Sequence, residues 1–380
     1  MTGRTDIAAL TERLAGTAWD DTADAVAMRA VVEGIGCGRT ETPDGPLAAG
    51  GARIDRIADA PWDRGADFAD LALPVLRADG TAPGHAGAFR RAADAVEGVL
   101  GEPVGAGSYG TADPYWRPGA RRCDWGAPYL RWECTASDGT VLELTAGTDG
   151  PELLLRSASR LSSMTRHWRY DGHLLTGFTG TSEEDEEDAD EYGTGTRPYI
   201  DEAGDWDDLR SALAEFLAVL PAELHALGTS FALPLYGFLE GPQRTAPLLF
   251  DLVCDGSGLF VGYHEPAAAA QARGAAAAAL GWTPADLLPA GAPPAVRGRR
   301  LPWRTDLAAY GRGRAEVPPA PWRIDAGGPG KVRAAQVADL LVGTARAAGV
   351  GTALNMVLGV EGERHPDFDL AFPGLRLRAR

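Results

Sequence analysis

Nine consecutive residues, Glu183–Glu191, hold eight acids and one alanine, and no fold can bury them. Like charges at this density repel each other, and a segment with nothing apolar to hide stays solvated. Gly193-Thr194-Gly195-Thr196-Arg197-Pro198 follows and is no better able to pack. The chain therefore reads as an N-terminal α+β domain over 1–180, an acidic linker over 181–198, and a C-terminal α+β domain over 199–380. A flexible segment of about sixteen residues spans roughly 20–25 Å, and self-repulsion extends it further. The functional alternative is an acidic decoy for a basic partner.

Each half has about 180 residues, enough to bury a core without covalent staples. Net charge is −17, and taking away the eight charges of the run leaves −9. That balance excludes a nucleic-acid binder that gains affinity by neutralising phosphates. No apolar run reaches the ~18 residues of a membrane span, so no membrane partner is expected. Met1–Gly16 mixes charged with apolar residues and lacks the apolar stretch of a secretion signal, so a cytoplasmic setting is expected. The four cysteines, Cys37, Cys123, Cys134 and Cys254, form no C-x-x-C pair and read as free, buried or half-buried thiols.

Periodicity supplies the elements. Ile7, Leu10 and Leu14 recur at helical spacing, and a second helix is expected from Asp20 or Thr22 to Glu33. Strands follow around Ile54–Ile57 and Phe68–Leu76. Phe89, Ala92, Ala93, Val96 and Leu100 make a helical stripe that Gly101 closes. Tyr129–Cys134 and Thr140–Thr145 form a hairpin, with Glu152–Arg156 completing a meander. Val141 stands beside Leu142, so both faces of this sheet are expected to be covered.

After the linker, Asp205 caps a helix bearing Trp206, Leu209, Leu213, Phe216, Leu217 and Leu220, with a short helix from Pro221 to Leu227 behind it. Phe231–Leu239, Pro247–Cys254 and Gly258–Tyr263 read as strands, and Pro266–Leu280 as an Ala-rich helix. Residues 281–330 are too polar to be core. A last helix carries Val337, Leu340, Leu341 and Thr344, and strands at Thr352–Val360 and Phe368–Phe372 close the chain. The expected fold is α+β in two lobes, each a mostly antiparallel twisted sheet covered by helices. Helix followed by three-strand meander occurs in both, which suggests duplication or a common order reached twice.

No reactive constellation stands out. Gly105-Ala106-Gly107-Ser108-Tyr109-Gly110 has the spacing of a dinucleotide loop, but a helix precedes it and Asp113-Pro114 follows. Gly327-Gly328-Pro329-Gly330-Lys331 lacks the flanking residues of a phosphate loop, with Asp325 and Val332 in their places. None of the six histidines has the spacing that places two imidazoles on one helix face. Glu361, Glu363, His365, Asp367 and Asp369 alternate, yet His365-Pro366 interrupts them, and a solvated connector is the expectation. No catalytic residue, metal site or cofactor is therefore assigned.

Tryptophan is more distinctive. Trp116, Trp168, Trp303 and Trp322 are each followed by arginine, and Pro302 and Pro321 precede the last two. Such a pair anchors a loop by ring packing and cation–π contact, and Trp with Arg is also enriched at interface hot spots. Trp303 and Trp322 are the candidate interface residues.

Ala338–Arg346, continuing to Gly349-Val350, resembles a helix-plus-loop segment of actinobacterial relatives of YbjN and the type III secretion chaperones. Leu280-Gly281-Trp282 and Phe372-Pro373-Gly374-Leu375 are similar to the same family, over about the last 100 residues. The N-terminal half, through Phe89–Pro103 and the Trp132 hairpin, resembles small actinobacterial domains. The resemblance implies a helix-covered antiparallel sheet that binds unfolded segments of a client protein, often as a dimer and with an acidic surface. Tyr236, Phe238, Phe250 and Leu252 are the candidate peptide-binding face, with plain core as the alternative. The expected function is a non-enzymatic, chaperone-like protein- or peptide-binding module. The rivals are an immunity-type protein that covers a basic toxin, and an enzyme of unrecognised type.

Overall fold

The computed structural model describes residues 6–19, 53–57, 68–108, 123–134, 139–158, 174–176, 203–228, 231–240, 246–255, 258–266, 277–284, 322–358, 368–371 and 378–379. The chain divides into two compact units, Met1–Trp168 and Arg169–Arg380. The acidic run, the expected helix from Asp20 to Glu33, Trp303 and most of the Ala-rich helix lie outside the described residues.

In the first unit, helix α1 (Ile7–Ala15) begins where the Asp6 carboxylate accepts the Ala9 N–H at 3.2 Å. It buries Ile7, Leu10 and Leu14. Helix α2 (Ala82–Leu100) is capped by the Thr81 hydroxyl, which accepts from Gly84 N at 3.1 Å. Gly101 ends it at φ +81°, where its N–H reaches Glu97 O. Strands β1 (Arg53–Ile57), β2 (Phe68–Pro74), β3 (Gly105–Ser108), β4 (Pro128–Glu133), β5 (Thr140–Ala146) and β6 (Pro151–Ser157) form an antiparallel sheet ordered β1-β2-β6-β5-β4-β3. One face carries Leu71, Leu130, Trp132, Leu142, Leu144, Leu153 and Leu155, each at most 2% exposed, and α2 packs on β5 and β6. The expectation that both faces are covered holds, because all seven residues of β5 are buried. Gly150, in the β5–β6 turn, sits at φ +151°, and a Cβ there would lie 2.1 Å from Leu76 O.

In the second unit, helix α3 spans Trp206–Leu227 as a single 22-residue element with Pro221 inside it. The sequence suggested two helices meeting at that proline. A proline in a helix costs one N–H bond and about 3 kcal/mol. Here Leu217, Leu220, Leu224 and Leu227 lie on one stripe, all 0% exposed. Each such burial returns roughly 1.5–3 kcal/mol, so the continuous helix wins. Gly228 closes it in the left-handed region at φ +68°.

Strand β7 (Leu174–Thr176) pairs with β14 (Phe368–Ala371), which is why the second unit begins ahead of the acidic run. Strands β8 (Phe231–Gly237), β9 (Leu248–Asp255), β10 (Gly258–Tyr263), β11 (Thr283–Pro284), β12 (Trp322–Gly327), β13 (Met356–Leu358) and β15 (Arg378–Ala379) form a sheet ordered β11-β12-β10-β9-β8-β13-β15. Only the β13–β15 pair is parallel among these described strands. Helix α4 (Ala334–Ala348) packs on α3, and a 3₁₀ turn (Ala353–Asn355) leads into β13. The fold is thus α+β with two mostly antiparallel sheets.

Two expectations change. Residues 281–330 are not all outside the core, since Trp282 is 3% and Ala326 is 0% exposed. Polar neighbours mislead there because a strand sends alternate residues to opposite faces. The shared helix–meander order extends differently in each unit: β2, which precedes the helix, flanks β6, whereas β12, which follows the meander, flanks β10.

Trp282 stacks on Tyr263 at 5.4 Å and on Phe250 at 6.1 Å between ring centroids, and its indole N–H donates to the Thr344 hydroxyl at 2.8 Å. This cluster ties the sheet to α4. Trp282→Ala is expected to cost about 3–5 kcal/mol, read as a lower urea midpoint for the second unit's transition. A loss below about 1 kcal/mol would show that the cluster is not a core element.

Candidate binding face of the second unit

The sequence Phe250-Asp251-Leu252-Val253-Cys254 alternates in burial, whereas Leu249, where the ladder to β8 shifts register, is 0% exposed like its neighbour Phe250. Leu252 and Phe250 are 0% exposed, whereas Asp251 and Val253 are half-buried. Register carries the pattern across the sheet: Phe250 pairs with Tyr263, Leu252 with Val261 and Val253 with Phe260. Tyr263 pairs in turn with Trp322, Gly262 with Arg323 and Phe260 with Asp325. The inner face of Phe250, Leu252, Val261 and Tyr263 is sealed beneath the helices and Trp282. The outer face of Asp251, Val253, Phe260, Arg323 and Asp325 is half-buried to exposed.

His264, just past β10, keeps the sheet spacing through its N–H to Leu249 O. Its Nε2 lies 2.5 Å from Asp251 Oδ2, with 11% and 30% of the two side chains exposed. The outer face therefore combines two apolar side chains, an imidazole–carboxylate pair, a guanidinium and a second carboxylate.

The residues nominated from sequence fall elsewhere. Phe250 and Leu252 are core on the inner face, and Tyr236 is 7% exposed. Phe238 is half-buried beyond the end of β8, where its N–H donates to Asn355 O. Trp322 is half-buried in β12 opposite Pro284, also on the inner side. Asp251, Val253 and Arg323 on the outer face each adjoin a nominee in sequence, and Phe260 and Asp325 do not. Phe250 and its neighbours show by alternation which parity is covered and which reaches the boundary with solvent.

In the first unit, Arg156 bridges Asp70 at 3.0 Å and Glu143 at 2.9 Å, and Arg131 reaches the other Glu143 oxygen at 2.7 Å. Arg131 also lies 4.2 Å from the Tyr129 ring centroid. These four charges come from four adjacent strands and share the sheet face opposite α2, with Glu143 0%, Asp70 2% and Arg156 4% exposed. Two acids and two bases cancel. Sequence reasoning missed this network, although Arg131 and Glu143 each sit mid-strand between large apolar neighbours.

His85 is buried and stacks on Trp125 at 5.5 Å. Hydrogen bonds from the Thr81 hydroxyl and N–H hold the Asp79 carboxyl below its ordinary range. Burial pushes the Cys134 thiol up, away from the reactive thiolate. An apolar crevice beneath Trp206, bounded by Leu213, Leu341 and Met356, is lined by apolar side chains alone. Among the described residues no group of three His, Cys, Asp or Glu could hold a metal, and no helix is long and apolar enough to cross a membrane. Comparison with family models, curated proteins and solved structures finds no match to the chain.

Removing one member of a buried ion-pair network strands its partners. Arg156→Ala is expected to destabilise the first unit by about 3–5 kcal/mol in urea denaturation. A cost under about 1 kcal/mol would mean that water reaches the network.

Proposed function

We propose that this chain is a chaperone-like protein- or peptide-binding module that works through the outer face of the second unit's sheet. The observation that carries the reading is the unequal covering of that sheet. Phe250 and Leu252 are 0% exposed, while Val253 and Phe260 on the other side remain half-buried among charged neighbours. Apolar side chains spaced across a sheet surface with charges around them suit a segment laid along the strands. A net charge of −17 favours a client rich in Lys and Arg. The resemblance of Ala338–Arg346 to the secretion-chaperone relatives supports the same reading, as does the helix-covered antiparallel form of the unit. A cytoplasmic setting and pairing of two copies belong to this reading.

The same acidity favours a second reading, an immunity-type inhibitor of one folded basic protein. A single experiment separates the two. Mixed with a reduced, alkylated and aggregation-prone protein, the chain is expected to slow the growth of light scattering. Phe260→Asp is expected to abolish most of that effect at an unchanged urea midpoint. Capture of one folded basic protein, released at about 0.5 M salt, with no effect on unfolded chains, would establish the inhibitor instead. Binding to neither class would overturn both.

A further inference from the structure

We draw no further inference here: the strongest candidate, the stacked His85–Trp125 pair at the first turn of helix α2, leaves His85 Nδ1 and Trp125 Nε1 buried without a hydrogen-bond partner among the described residues, but the Thr81 hydroxyl already caps that helix start and nothing in the structure shows an opening to either atom or what would bind there.

Discussion

A strand cannot send two adjacent side chains to the same side, and both units are organised by that limit. Each antiparallel sheet has an inner face that packs against helices and an outer face that must be made tolerable some other way. The first unit seals its outer face and fills it with matched charges. Arg156 stands between Asp70 and Glu143, and Glu143 in turn is shared with Arg131. Isolated charges there would be prohibitive, but a closed series of opposite signs is not. The second unit leaves its outer face half-buried, with Asp251, Val253, Phe260 and Arg323 at the boundary with solvent.

The two units thus differ in how their outer sheet faces are covered. In the first unit the charges on the outer face are paired, and Asp70, Glu143 and Arg156 are buried. The second unit's outer face keeps Val253, Phe260 and Arg323 half-buried rather than sealed. The inner face holds the sheet in place. Phe250, Tyr263 and Trp282 stack beneath it, and the Trp282–Thr344 hydrogen bond fixes the sheet against α4. Binding groups carried on a packed sheet keep their spacing, whereas the same groups on a loop would have to be ordered by each partner.

Much of the element order was legible because apolar spacing reports local geometry directly. The stripe Phe89–Val96 and the meander through Leu130, Leu142 and Leu153 lie where periodicity puts them. Pro221 misled because the local penalty is visible in sequence, while the leucines that outweigh it become a stripe only when α3 packs. The stretch after Gly281 misled for a similar reason, since Trp282 and Ala326 are buried by partners far away in the chain. Which face a nominated side chain occupies was not legible. Phe250 is apolar enough for either face, and only register decides that it is covered.

The amino-acid sequence by itself determined the two-core α+β composition, most helix ends and the strand-forming runs, all of which depend on neighbours within a few residues. It also determined the net charge of −17. Tertiary structure alone decided which sheet face is sealed, that Asp70, Glu143, Arg131 and Arg156 meet, and that Gly262 lies between Asp251 and Arg323. These are pairings across strands distant in sequence. A one-residue slip in register would exchange every inner side chain for an outer one, so no local pattern can carry that information.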